Sequence, residues 1–366
     1  MVKISAYQLF AVTSMFQLGT TLIFAFGASA GRDAWIAALL STGLGTVLIG
    51  MYTVLQKMHP GQTLVEWFPY EFGRWIGVPL AWLYPLVWLY DAGRGVADLK
   101  FLLPATILPG TPAWILVGSF LLLVLYFLFS GIEVICRLGG MIFPVLVVLF
   151  SLEIFLLLSS GMHHFSYLQP VLGEGWGRVW KAVWPLGVTQ SFGESIELAM
   201  IWTLMASPKR LMGINLAAAL NAGIVITLFD ALAIIVLGEK IFIREYFPLI
   251  QTLKQVSLAE FIENLDVLFV IYLFISTFFK ISLHMYMSVI AAKQLCRIRN
   301  PKGLMVLFAA ITFIVGMTMA KNMPEHTTVA FKTLPNYIWL PLFIVLPVLL
   351  FLVSMVRKLL GKRRYA

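Results

Sequence analysis

The chain has 366 residues, of which 60% are hydrophobic and only 12% charged, with a mean hydropathy of +0.92. A soluble domain needs about twice that charge to keep its surface wet, so a water-soluble globule is excluded. The net charge is +9 at pH 7, but the basic residues sit mainly in short connections and at the C-terminus. They read as orientation signals and contacts to anionic lipid headgroups, with no nucleic acid partner.

Apolar stretches long enough to cross about 30 Å of hydrocarbon recur from end to end. In chain order the expected spans are Tyr7–Gly27, Ala34–Gln56, Val78–Leu103, Ala113–Ser130, Leu138–Ser160, Val183–Met205, Leu211–Leu237, Leu265–Lys293, Leu304–Ala320 and Asn336–Val356. The first lacks a cleavage-site pattern and reads as a retained span rather than a signal peptide. No polar stretch is long enough to fold separately. The expected fold class is an all-α membrane protein of about ten transmembrane helices, forming a single domain over residues 1–366.

The connections alternate in basic charge. Lys3, Lys57, Arg74, Arg137, Lys209, Arg210, Lys293, Arg297, Arg299, Lys302 and the tail Arg357, Lys358, Lys362, Arg363 and Arg364 fall on one side. Arg32, Lys100, Arg178, Lys181, Lys240, Arg244, Lys254, Lys321 and Lys332 fall on the other. The overall bias of about fifteen to nine puts both termini in the cytoplasm. Cys136 and Cys296 then lie near cytoplasmic helix ends, where a disulfide is not expected. Ten spans divide into two halves of five, about 6–160 and about 183–357. The odd count per half gives them inverted topology. The longest outer connection, Gly238–Asn264, places Leu249, Ile250, Leu253, Val256 and Phe261 at near-helical spacing. It reads as an amphipathic helix on the outer surface, or a lid over an outward vestibule.

The sequence holds no metal-ligand histidine spacing, no Cys-x-x-Cys, no His-Glu-x-x-His and no phosphate loop. Gly173-x-Gly175-x-Gly177 follows no strand and reads as turn chemistry. No catalytic residues and no cofactor are expected. What stands out is polarity and glycine within the membrane. The first span carries Gln17-Leu18-Gly19-Thr20-Thr21 near its middle, and the sixth carries Thr189-Gln190-Ser191-Phe192-Gly193-Glu194-Ser195-Ile196-Glu197. These are matching positions in the two halves. Paired breaks there would expose backbone groups around a midplane binding site, whereas the plainer alternative is that the glycines only permit close helix packing.

Ionisable residues inside spans must face the interior and find partners. Glu194 and Glu197 lie one turn apart. Asp91 and Arg94 also lie one turn apart and read as a structural ion pair. Lys280 is mid-span on the face of Ser276 and Thr277, unless it snorkels to the cytoplasmic edge.

Three stretches resemble the spore germination permease family, the integral-membrane B subunit of nutrient germinant receptors. They are Ile4-Ser5-x-x-Gln8-Leu9 leading into Leu18-Gly19-Thr20-Thr21-Leu22; Gly31-Arg32-Asp33-Ala34-Trp35; and the run from Phe247-Pro248-Leu249-Ile250 through Glu260-Phe261-Ile262-Glu263-Asn264-Leu265-Asp266 to Phe278-Phe279-Lys280-Ile281-Ser282. The resemblance implies the amino acid–polyamine–organocation superfamily and its five-plus-five inverted repeat with broken first and sixth helices. It implies A and C subunits as partners at the inner spore membrane, and a small nutrient such as an amino acid as ligand. Carried over by position, the ligand pocket falls on Gly19, Thr20, Thr21, Gln190, Phe192, Gly193 and Glu194. In sodium-coupled relatives of the implied fold an ion bridges the first and eighth helices; by that resemblance Lys280, with Ser276 and Thr277 on the same helix, is expected to stand in for the cation and to bond carbonyls freed by the break near Gly19. The chain departs from the glycine-rich first-helix segment of many amino acid transporters, having only Gly19 followed by two threonines. The expected function is a nutrient-binding, transporter-like receptor subunit that signals by changing shape. The alternative is a secondary transporter of an amino acid or another small solute.

Overall fold

The computed structural model describes residues 3–106, 108, 110–255 and 266–360. Among these residues all regular structure is helical, apart from one isolated parallel bridge between Ile4 and Met205. Ser5 and Gln8 open the first helix with a reciprocal capping box, their side chains accepting each other's backbone N–H groups. That helix, α1, runs Ala6–Leu18 and is followed across a break by α2, Thr21–Phe24. After a 3-10 segment comes α3, Ala34–Met58. A second capping box, Thr63 with Glu66, starts α4, Leu64–Phe72.

The long α5, Arg74–Thr106, follows, then α6, Ala113–Ser130, and α7, Ile132–Ser159. The sixth expected span is a composite of α8, Trp176–Ala182, a π-helical turn, α9, Val188–Ser191, and a 3-10 segment Gly193–Met200. The remainder comprises α10, Leu211–Arg244; α11, Pro248–Lys254; α12, Asp266–Leu295; α13, Lys302–Thr318; and a continuous helical path from α14, Met323–Thr328, through π-helical turns to α15, Leu346–Leu359.

Six helices among the described residues are long and apolar enough to cross a membrane, or seven if the bent pair Lys302–Thr318 and Met323–Thr333 is one span. The expected spans outside that set fail for identifiable reasons. The first and sixth are broken. The third carries Asp91, Arg94, Asp98 and Lys100. The ninth is a 17-residue helix that turns by 112° into the last helix.

The last helix therefore begins at Met323, well before the expected Asn336. Asn322 caps it by accepting from Glu325 N at 2.9 Å, and polar residues such as Glu325, His326 and Lys332 disguise this first part as a loop. Of the outer segment Gly238–Asn264, the described part comprises the end of α10 and then α11, in which Leu249, Ile250 and Leu253 are buried. Val256, Phe261 and the stretch Glu260–Leu265 lie outside the described residues, as do Lys362, Arg363 and Arg364.

The layout follows from which faces need covering. α12 is largely buried at the centre, whereas α6 and α7 expose apolar faces such as Leu122, Tyr126, Val148 and Phe155. α3 packs on α10, and α5 lies between α12 and α13. Each end of the bundle is tied by charge. At one end Glu239 accepts from Arg32 Nε and Arg178 Nη1, both at 2.7 Å. Arg178 Nε donates to Ser29 O, and Asp33 accepts from Leu172 N. At the other end Glu71 contacts His59 Nε2 at 2.9 Å, accepts from Ser354 Oγ at 2.9 Å and pairs with Arg357. There Ile4 also exchanges backbone bonds with Leu204 and Ala206, pinning the start of the first helix to the end of the sixth.

Gly31 has φ +65°, and a Cβ there would overlap the Glu239 carboxylate and the Arg178 guanidinium. Gly31→Ala should therefore strain the backbone and open the clamp, lowering stability by about 2 kcal/mol. The check is a drop in the thermal midpoint of the purified protein, larger than that for Gly43→Ala, where the added carbon meets open space.

Candidate functional site

The two broken helices meet near the middle of the bundle. Gly19 closes α1 by donating its N–H to Met15 O at 2.9 Å, with φ 32° and ψ −129°. A side chain is sterically forbidden there. A Cβ would sit 2.7 Å from Lys280 Cδ and 2.9 Å from Phe16 O. In the sixth helix the winding changes from α to 3-10 at Phe192 and Gly193. The breaks are stitched to each other: Gln17 Nε2 donates to Ser195 Oγ at 2.9 Å, and the Thr21 and Ser191 hydroxyls share a 3.0 Å hydrogen bond. Tyr52 OH reaches Gly193 O at 3.3 Å and also Phe343 O.

Between these breaks and the neighbouring α5, α12 and last helix lies a cavity of about 30 Å³, enough for about two waters. Thr20, Gln190 and Glu194 line it, as do Asp91, Arg94, Thr277 and Lys280. Thr21 and Phe192 line a second cavity of about 20 Å³, with Ser41, Ser191 and Asp230. Gly19 sits behind Lys280. Gly193 packs toward Phe343 and lines neither cavity, nor does Ser276, whose Oγ donates to Leu273 O at 3.3 Å.

Charge contacts connect the walls. Lys280 Nζ lies 2.7 Å from Glu194 Oε2, though neither atom is aligned for a hydrogen bond. The partner of Lys280 is thus a carboxylate of the sixth helix, not the carbonyls freed near Gly19. His284 Nδ1 bonds Glu197 Oε2 at 2.7 Å, with its Nε2 4.0 Å from Glu194. His326 Nε2 bonds Asp98 Oδ1 at 2.7 Å. The expected Asp91–Arg94 ion pair is not formed. The Asp91 carboxylate instead accepts from the Trp339 indole at 3.3 Å.

Asp98, His284, His326 and Trp339 were not anticipated at the site. Two were within reach of helical spacing. Asp98 lies one turn beyond Arg94, and His284 one turn beyond Lys280, each on the face already identified. His326 and Trp339 were hidden because the start of the last helix reads as a loop. Among the described residues, no group of three or more His, Cys, Asp or Glu side chains could hold a metal ion.

Removing one partner of a buried ion pair strands the other charge. Lys280→Met should cost about 3–5 kcal/mol. Adding Glu194→Gln should recover part of that loss, so the double variant is more stable than the sum of the two single costs. A thermal-unfolding double-mutant cycle reads the coupling, and strict additivity would contradict the pairing.

A family model described as "Spore germination protein" matches residues 3–324. Spore germination protein KB of Bacillus subtilis (strain 168) is 31% identical over 362 residues, covering 99% of this chain and 96% of that protein. Spore germination protein YndE of the same organism is 25% identical over 332 residues, covering 89% and 88%. Spore germination protein XB of Bacillus anthracis is 27% identical over 263 residues, covering 70% and 71%. Two solved structures share the fold. One is Mhp1, a nucleobase-cation-symport-1 family transporter in a closed conformation with bromovinylhydantoin bound, with TM-score 0.69, 13% identity and coverage of 99% of this chain and 91% of that one. The other is MhsT in complex with L-phenylalanine, with TM-score 0.63, 14% identity and coverage of 97% and 99%. The chain belongs to the spore germination protein family and is an integral, mostly helical membrane protein with the fold of these two structures.

Proposed function

We propose that this chain is the nutrient-binding membrane subunit of a germinant receptor. It takes a small polar molecule into the cavity between the broken helices, which must widen beyond its two-water size to admit it, and passes that widening on as a change of shape. The observation that carries this reading is a set of buried polar atoms without partners on residues lining that one cavity: Asp91 Oδ1, Gln190 Oε1, Thr277 Oγ1, His284 Nε2 and His326 Nδ1. Each such atom costs about 1–3 kcal/mol if no hydrogen bond satisfies it, so their grouping on the residues around one cavity favours a polar ligand.

The reading includes the finer architecture. Ten spans form two inverted five-helix halves, about 6–160 and about 183–357, within one domain, with both termini cytoplasmic. The membrane is the inner spore membrane, and the A and C subunits are the partners that read the shape change. The chain catalyses no reaction. Lys280, with Thr277 beside it, serves in place of a mobile coupling cation. Signalling needs only that the ligand prefer one state. A differential affinity of about tenfold to a hundredfold shifts a balanced equilibrium. A transporter must also release its ligand inside and reset, and a covalently fixed ammonium fits the omission of that step. The second reading, a secondary transporter, is favoured by the fold shared with the transporter Mhp1 over nearly the whole chain.

Two experiments test these claims. Spores lacking only this chain should fail to respond to one nutrient class yet germinate with a trigger that bypasses receptors, and proteoliposomes of the purified chain should bind that nutrient without accumulating it. Concentrative uptake together with normal germination in the chain's absence would establish the transporter reading instead. For the topology, a cysteine at Lys254 should react with an impermeant thiol reagent in intact cells, and one at Lys209 should be protected; the reverse pattern would invert the arrangement.

A further inference from the structure

Every other ionisable side chain lining the main cavity has a partner. Lys280 meets Glu194, His284 meets Glu197 and Glu194, His326 meets Asp98, and Asp91 receives the Trp339 indole. Arg94 does not. It is 9% exposed, lines the cavity, and makes no hydrogen bond or ion pair with any described residue.

A lysine in that position could shed its proton. A guanidinium keeps its charge and presents five N–H donors in a rigid fork. An arginine held within a membrane bundle with no directly bonded anion is expensive, and Asp91 reaches it only by electrostatic attraction at longer range. Its neighbour one turn away, Asp91, is the obvious internal partner, yet Trp339 holds that carboxylate and leaves Oδ1 unbonded.

We propose that Arg94 is the receptor for the anionic group of the ligand, and that the site takes a small monoanionic carboxylate carrying a hydrogen-bond donor beside it. This deepens the proposed function and rests on the cavity being the ligand site. A carboxylate matches the guanidinium fork with two parallel hydrogen bonds. Asp91, Asp98 and Glu194 around the same cavity oppose a dianion such as phosphate. The unbonded Asp91 Oδ1 accepts from the ligand's donor group. The first-helix break offers no ready substitute at its glycine, because the Gly19 N–H is already spent on Met15 O. Recognition of the anion therefore passes to a side chain of α5, on the opposite wall from the broken helices.

The test uses the purified full-length chain in lipid nanodiscs and thermal-shift titration with matched probes: L-alanine, L-leucine and L-asparagine, the amide of each, and D-glucose and inosine as uncharged compounds. At least one free carboxylate should stabilise the wild type. Its amide should bind at least about tenfold more weakly, and Arg94→Gln should remove the difference between the two. Arg94→Lys keeps the charge and guards against misfolding. It should retain discrimination against the amide but lose affinity for the carboxylate, because the two-pronged contact is gone.

Equal binding of acid and amide, or acid binding unchanged in both variants, overturns the assignment. So does stabilisation by glucose or inosine alone. In that case, loss of binding in Gln190→Ala shows that the cavity reading stands and only the role of Arg94 fails, whereas binding that survives Gln190→Ala removes both. Absence of any response to every probe in the wild type counts against both as well.

Discussion

The Lys280 ammonium and the Glu194 carboxylate lie 2.7 Å apart in the interior of a bundle with an apolar exterior, and the arrangement of the site depends on that contact. Neither charge is tolerable there alone. Lys280 reaches its partner because Gly19 has no side chain, since a Cβ would stand where the lysine stem passes. Glu194 is presented where the sixth helix changes its winding. The first-helix break, the sixth-helix break and the face of α12 are thus fixed by one pair of charges. The two polar stitches between the broken helices, Gln17 to Ser195 and Thr21 to Ser191, keep those breaks in register.

This constraint divides the molecule into two sets of elements. The broken helices are joined to each other at the cavity and again at one end, through the bridge from Ile4 to Met205. α5, α12 and the last helix carry Asp91, Arg94, Asp98, Lys280, His284, His326 and Trp339. Lys280 with Glu194 and His284 with Glu197 are charge contacts across the boundary. A ligand in the cavity touches both sets, so its binding energy differs between any two arrangements that change their separation. That difference is the physical requirement for a shape signal. Any such change must also be accommodated at the ion-pair clamps around Glu239 and Glu71.

Much of this was legible in the sequence because it follows from local rules. The Ala113–Ser130 helix was read to the residue, and the breaks at Gly19 and Gly193 were read from small and polar residues at matching places. The interior placement of Lys280 and Glu194 follows from the cost of charge in a membrane, whereas Thr20 and Gln190 come from the family resemblance carried over by position. What escaped needed information that periodicity does not hold. The Asp91–Arg94 pairing is locally favourable on a helix, but the hydrogen-bond partner of Asp91 is Trp339, some 250 positions away. The start of the last helix has Pro324, Glu325, His326 and Lys332 in place of an apolar run, so its contribution of His326 to the cavity was invisible.

The central claim is that a ligand in the cavity between the broken helices is felt by both sets of elements. Hydrogen–deuterium exchange on the purified chain, with and without a compound that stabilises it, tests this most directly. The account predicts slowed exchange in peptides covering Gln17–Phe24 and Thr189–Glu197, accompanied by a change around Asp91–Asp98 and His326. Protection confined to the loop that carries His164 and Gln169, with the two breaks unaffected, would contradict it.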